Sequence, residues 1–373
     1  MNANKALLAV VCGLGLFACA PSSDEGLDQD ESALGGSAVA SPKFIDKAVA
    51  RPGEFIVVLN ASLDAKDRAA LAAKYNARVF HTYEHVLHGF AARMSDADAR
   101  ALSADAAVQY VERNGIKHTS ETQANATWGI DRVDQVSLPL DRQYSYTLTG
   151  EGVNAVVIDT GVDARHPDFE GRVARGFNAL DTGSPDDASD VHGHGTHVAG
   201  TMASKTWGLA KKATIVPVRV CNAQGQCTDA DIVQAVDWVT ANVAKPAVVN
   251  MSLGGTIDEN TAATEAAIRA SIASGITYVV AAGNDSKDAC RYSPARMPEA
   301  ITVGATSSND GRSFFSNWGT CVNVFAPGSR IVSARRGSGS TTMDGTSMAS
   351  PHAAGVAALL LQNTPTAPPE EIA

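Results

Sequence analysis

"VNAVVIDTG", residues 153–161, runs apolar without alternation and stops at an acid followed by Thr-Gly. A strand with one wet face alternates polar and apolar side chains. A run of Val and Ile without that alternation belongs in a strand buried on both faces, as in a parallel sheet covered by helices. Similar runs follow at "TIVPVRV" (214–220), "AVVNMSL" (247–253), "ITYVVAAGN" (276–284) and "ITVGAT" (301–306). Between them lie "THVAGTMA" (196–203), "DADIVQAVDWVTANV" (229–243) and "ENTAATEAAIRASIASG" (259–275), and a closing helix is expected from Ala353 to Leu361. From about residue 121 the alternation predicts the α/β class: a parallel sheet with helices on both faces.

Upstream the pattern changes. "GEFIVVL" (53–59), "RVFHTYEHVLHGFAARM" (78–94, with a turn) and "VQYVERN" (108–114) read as strands, and 64–77 and 95–104 as helices. This predicts a small α+β domain with helices on one face of an antiparallel sheet. Residues 20–50 are small, acidic and aperiodic, the composition of a flexible linker. The first nineteen residues carry Lys5 and an apolar run (6–17) too short to span a bilayer, which is an export signal. "LFAC" (16–19) also resembles a bacterial lipoprotein cleavage box, which would place a lipid on Cys19. The final "PTAPPEEIA" reads as a helix just beginning, so a longer C-terminus is expected.

The formal net charge is −10, with no basic stripe, which argues against a nucleic-acid partner and suits an exported protein or one that binds cations. Of six cysteines, Cys12 and Cys19 lie in the leader. The other four, Cys221, Cys227, Cys290 and Cys321, imply two disulfides in one of three pairings, and no CxxC spacing points to zinc.

Ligands of a parallel sheet bind at the carboxyl ends of its strands. Three polar clusters fall there: Asp159 after "VVI", His192, His194 and His197 in "HGHGTHVAG", and Asn284 after "VVAAG". A fourth candidate is Ser347, in "DGTSMASPHAAGVAALLL" (344–361). Each has an ordinary structural reading: Asp159 capping a turn, the histidines on a loop, Asn284 as a turn residue, Ser347 as a helix cap. Together they supply a nucleophile, a base, an orienting acid and an oxyanion donor. The prodomain histidines His81, His85 and His88 lack HExxH spacing and read as surface residues.

"DTG", "HGTHVAG", "SLGG", "AAGN" and "GTSMASPHAAGVAAL", in the order Asp–His–Ser, resemble the subtilisin-like serine proteases of the proteinase K–aqualysin branch. The match runs from about Thr122 to the last residue. The unit before it, with "HVLHGFAARMS", is similar to the inhibitory propeptide of these enzymes. The resemblance implies a propeptide over 51–120 and a catalytic domain over 121–373. It implies an exported endopeptidase, made as a zymogen, acting as a monomer on protein and peptide substrates with its own propeptide as inhibitor. By motif, Asp159 orients, His194 is the base, Ser347 the nucleophile and Asn284 the oxyanion donor. His192 falls in the loop before the motif and His197 one turn inside the helix, packed. Ser252, Leu253 and Gly254, with Ala281, Ala282 and Gly283, would line the pocket for an apolar or aromatic side chain, the glycines leaving room for it. Gly225 and Gln226 would sit on an edge strand that pairs with extended substrate.

The resemblance also implies a Cys290–Cys321 disulfide. The branch's other pair lacks its partner here, where Val191 stands, so Cys221 is expected to bond Cys227. Structural calcium is implied at Asp131, Asp134 and Gln135. A second site, at the carbonyls of Pro298 and Ala300, meets Asn323 where a carboxylate is needed and is expected to be weak or empty. The acidic run 181–190 reads equally as an ion site or a solvated loop. Two other classes fit these residues less well. An α/β-hydrolase would need GxSxG and the order Ser…Asp…His, and this chain has neither. A catalytically inactive binding or inhibitor protein would not need its catalytic positions intact.

Overall fold

The computed structural model describes residues 43–47, 50–117, 119–257 and 261–373. The export signal, Cys12, Cys19 and most of the linker fall outside the described residues. The chain begins with β1 (Phe44–Ile45), β2 (Ala50–Leu59), α1 (Ala65–Lys74), β3 (Arg78–Tyr83), β4 (Gly89–Arg93), α2 (Asp96–Ser103) and β5 (Val108–Gly115). These strands form one sheet in the order β1-β5-β2-β4-β3, antiparallel except for β1 on β5. Asp64 and Ser95 cap the two helices by accepting the N–H of Asp67 and Asp98. Alternate residues of β2, Phe55 and Val57, join Phe90, Leu102, Val108 and Val111 in a core from which water is fully excluded. Phe44 and Ile45, expected in the linker, instead extend this sheet. Phe44 packs on Phe55 and under Arg100, and an aromatic ring with those partners gains more by docking than by solvation. His81, His85 and His88 are exposed.

The second region continues with β6 (Glu121–Ala124), α3 (Trp128–Asp131), β7 (Gln143–Tyr146), β8 (Asn154–Asp159), β9 (Phe177–Asn178), α4 (His194–Ala203) and β10 (Thr214–Arg219). It proceeds through α5 (Asp229–Asn242), β11 (Ala247–Met251), β12 (Gly255–Thr256), α6 (Thr261–Ala273), β13 (Thr277–Ala281), β14 (Tyr292–Ser293) and β15 (Ile301–Thr306). It closes with β16 (Val324–Pro327), β17 (Ile331–Ala334), β18 (Ser340–Met343), α7 (Thr346–Asn363) and α8 (Pro369–Ile372). Seven strands make a parallel sheet, β16-β15-β13-β11-β8-β10-β9. Ala155 and Val157 of β8 point into the core under α4 and α7, while Val156 and Ile158 point into the core under α5 and α6. That two-sided burial is why "VNAVVID" shows no alternation.

α7 begins at Thr346, well ahead of the apolar stretch 353–361, with Gly345 as its N-cap. Ser347 is therefore the second residue of the helix and not its cap. Pro351 lies in the second turn, where its missing N–H leaves the Ser347 carbonyl without the usual partner four residues on. The Ser252 hydroxyl donates to that carbonyl at 2.8 Å. Asn250 Nδ2 in turn donates to Ser252 Oγ, and Ser350 Oγ donates to Asn250 Oδ1. This buried chain of polar groups ties α7 to β11.

Two buried histidines brace the same layer. His197 Nε2 contacts the Ile331 carbonyl at 3.1 Å, and His352 Nδ1 contacts the Met348 carbonyl at 2.8 Å. Burial pushes both rings down to about 4. Both are neutral in the fold from pH 7 to about 4, while in the unfolded chain they take up protons below about 6.5. Their contribution is intact above pH 6.5 and is lost as pH falls toward 4, on the order of 3 kcal/mol per ring. Urea unfolding of a Ser347→Ala chain, which prevents self-digestion, is expected to show the decline starting below pH ~6.5, before carboxylates protonate. A flat midpoint from pH 6.5 to 5 would contradict the assignment.

Candidate active site

β8 sits where the strand order turns back, with β10 on one side and β11 on the other, and a crevice opens beyond the carboxyl ends at such a point. Asp159, the last residue of β8, is 2% exposed. Its carboxylate accepts the Thr160 N–H at 2.7 Å and holds His194 Nδ1 at 2.8 and 3.0 Å through its two oxygens. His194 is the first residue of α4. Burial opposes its charged form, but the charge and hydrogen bond of Asp159, with the charge of Asp190, outweigh it and hold the imidazole above its ordinary pKa.

Asp190 ends the acidic run 181–190, and nothing in the sequence sets it apart from its neighbours. It is buried and accepts the N–H of His192, Gly193 and Thr196 at 2.8–2.9 Å, plus the hydroxyls of Thr160 and Thr196. Thr160 Oγ1 then accepts the Gly195 N–H. The N–H groups of Gly193, Gly195 and Thr196 at the start of α4 are thus satisfied from two loops, and this fixes where the His194 ring starts.

Ser347 Oγ donates to the Ser252 carbonyl at 3.2 Å, and among the described residues it makes no hydrogen bond to His194 in this conformation. Asn284 Oδ1 accepts both the N–H and the hydroxyl of Thr346, at 2.8 and 2.9 Å. With its oxygen committed, its NH2 group is the free half of the amide, on the wall that also carries Ser347. His192 is exposed beside His194, and His197 is packed in the core as expected from its position in the helix.

The subtilase family model matches residues 150–373, and the peptidase inhibitor I9 model matches residues 54–120. The chain belongs to the subtilase family. It is 48% identical over 299 residues to an extracellular serine proteinase of Thermus sp. (strain Rt41A), covering 80% of this chain and 72% of that one. It is 44% identical over 308 residues to alkaline serine exoprotease A of Vibrio alginolyticus, covering 81% of this chain and 57% of that protein's length. Among solved structures it matches a cold-adapted subtilisin-like serine proteinase with a TM-score of 0.65 and 49% identity, over 67% of this chain and 89% of that one. This subtilase is an exported serine endopeptidase made as a zymogen with an inhibitory propeptide, and the comparisons give no support to the inactive alternative.

Two cavities flank the segment 252–256 of this subtilase. One, of about 350 Å³, is lined by Ser252, Leu253, Gly254, Ala281, Ala282, Gly283, Asn284 and Ser347 among others. The other, of about 530 Å³, reaches from Asp159 and His194 to Gly225 and Ile232. Two of the glycines have a packing reason as well. A Cβ on Gly254 would stand 2.7 Å from the Ser293 carbonyl oxygen, and one on Gly283 would stand 2.3 Å from Asn317 Nδ2. Backbone and side-chain packing behind the wall demands glycine at both, and both line the cavity.

Gly225 and Gln226 do not form an edge strand. Residues 222–226 make a turn closed by the Cys221–Cys227 disulfide. Gln226 gives its N–H to Asn222 Oδ1 and its carbonyl to the Asn222 N–H, so it has no free N–H to offer a ligand strand, whereas Gly225 lines the larger cavity. Cys290 is bonded to Cys321, so both pairings are as expected.

Asp131 is 1% exposed; its Oδ2 accepts the Arg142 N–H, and its Oδ1 is buried without a partner. Burial first, then the charges of Asp141 and Asp134, raise its carboxyl above the usual range. Asp134 accepts the Ser145 N–H, and Gln135 spends its NH2 on the carbonyls of Ser137 and Pro139, leaving its oxygen free of those bonds. An orphaned buried carboxylate oxygen with like charges nearby is chemistry that a hard cation relieves. Among the described residues, however, no three acidic, histidine or cysteine side chains converge as a metal cage. Near Pro298 and Ala300, Asn323 Oδ1 accepts the Thr302 N–H, so its oxygen is already engaged. In the acidic loop, Asp186 pairs with Arg175 and Asp187 with Ser189.

Proposed function

We propose that this subtilase cleaves peptide bonds with Ser347 as nucleophile, His194 as general base then acid, Asp159 as the orienting carboxylate, and Asn284 with the Ser347 N–H as oxyanion donors. The His194 Nδ1–Asp159 contact at 2.8 and 3.0 Å carries the reading, because it puts the proton on Nδ1 and leaves Nε2 basic. Ser347 Oγ turns from Ser252 toward His194 when substrate fills the cleft, since catalytic hydrogen bonds are often loose without it. Oγ attacks the carbonyl carbon while its proton passes to Nε2. The oxyanion is held by the Asn284 amide, and collapse expels the amine with the proton from Nε2. Water then repeats the sequence to free the acid.

The smaller cavity, with Ala281, Ala282 and the Tyr292 ring on its wall, supports a broad preference for apolar or aromatic side chains before the scissile bond. Asp285 lies on the same wall. The proposed chemistry uses groups of one copy and asks for no partner subunit. Residues 51–120 serve as the intramolecular inhibitor, and the domain boundary and first cut lie near Ser120. Calcium in a structural role would be held by Asp131, Asp134 and Gln135, where it would neutralise the buried carboxylate. A relative named extracellular supports free secretion over a lipid on Cys19.

Self-cleavage tests the assignment without a known substrate. The chain without its leader is expected to lose its N-terminal region through a cut near Ser120, as read by intact mass over time. A Ser347→Ala twin is expected to stay whole. If both are cut alike, or neither is, Ser347 is not the nucleophile of the processing step.

A further inference from the structure

Asn317 lies outside every helix and strand and is 0% exposed. Its Nδ2 donates to the Ala282 carbonyl at 2.8 Å, its Oδ1 accepts the N–H of Asp285 and Lys287 at 3.1 and 2.9 Å, and its own N–H goes to the Gly283 carbonyl at 2.9 Å. These four bonds reach the backbone on both sides of Asn284 and leave Asn284 itself untouched. Gly283 adopts a φ of 101°, and its bare Cα lets Asn317 come this close.

Asn317 is itself anchored. Ser316 Oγ donates to the Asn317 carbonyl and accepts the Ala305 N–H of β15. Beyond it, Trp318 and Lys287 are joined by backbone, and Cys290–Cys321 binds the same two segments covalently. A rigid sheet strand is thereby connected, through one side chain, to the loop that carries the oxyanion amide. Thr346 fixes the Asn284 side chain from the other side.

We propose that Asn317 is a positioning residue for transition-state stabilisation, acting through Asn284; this rests on the oxyanion role given to Asn284 above. An oxyanion donor works because it is held in place before the charge develops, and misplacement by about 1 Å costs on the order of a hundredfold. Loss of Asn317 leaves the Asp285 and Lys287 N–H groups and the Ala282 carbonyl unpaired, so the loop has reason to shift.

The test is a double-mutant cycle on the first-order rate of self-cleavage in the leaderless chain, with Asn317→Ala and Asn284→Leu singly and together. Self-cleavage is intramolecular, so a change in substrate affinity does not enter. Asn317→Ala is expected to slow it by about a hundredfold in the parent and by less than about threefold in the Asn284→Leu background. Thermal unfolding of each variant in the Ser347→Ala background checks folding. If Asn317→Ala fails to fold, Asn317→Asp, which keeps the acceptor for both N–H groups, takes its place in the cycle, with the same non-additivity expected. Equal losses in both backgrounds, or no loss in the parent, would overturn the proposal. If the unmutated chain does not process itself while a Ser347→Ala twin behaves identically, the protease assignment fails first, and that outcome is distinct from additivity.

Discussion

Asp159→Asn is expected to lower kcat by about four orders of magnitude on a soluble peptide p-nitroanilide, with KM changed by only a few fold; that magnitude is the one measured for the corresponding acid of serine proteases, subtilisin included. The reason is a tautomer. One Asp159 oxygen already takes the Thr160 N–H, so an amide at 159 would keep its oxygen there and turn its NH2 toward His194 Nδ1. Nδ1 must then accept, Nε2 carries the proton, and the ring can no longer take one from Ser347. A loss below tenfold would remove Asp159 from the mechanism. The pH profile supplies an independent readout. Protonated His194 is no base, and Asp159 stabilises that protonated form, so the acid limb of kcat/KM should lie above the ordinary imidazole value of about 6.5 in the parent. It should move to lower pH in Asp159→Asn.

Asn284→Leu is expected to lower kcat by about a hundred- to a thousandfold while leaving KM nearly unchanged, a scale taken from the oxyanion asparagine of a subtilisin. Leucine keeps the volume and removes the donor. The ground-state carbonyl gains little from the Asn284 NH2, whereas the tetrahedral oxyanion depends on it, so the loss falls on turnover. An equal rise in KM with unchanged kcat would show that Asn284 binds substrate instead. The same substitution takes an acceptor from Thr346, so thermal unfolding should accompany the kinetics.

Which elements could be read in advance follows from how local their causes are. β8, β10, β11, β13 and β15 announced themselves because burial on both faces is written into consecutive residues. β16, β17 and β18 did not, being short and partly exposed. Ser347 reads as a cap and not as helix, because "TSMASP" looks like capping and turn chemistry until Ser252 supplies the partner that Pro351 removes. Gln226 was misplaced for a related reason: a disulfide between residues six apart curls the chain into a turn that satisfies itself.

The sequence by itself determined the central strands of the sheet, the two kinds of domain, the cysteine pairs that the family resemblance implies, and the identity of the four chemical groups, two at or just past strand ends and two at helix starts. These depend on side-chain type and on spacing along one segment, which a linear text records. Tertiary structure alone decided why those groups stand where they do. Asp190 gathers five donors around the start of α4, Asn317 fastens the loop of Asn284 from beyond β15, and the glycines at 254 and 283 exist for their neighbours' sake. A buried polar group is stable only where its partners converge, and those partners come from segments far apart in the chain, so no short stretch carries the signal.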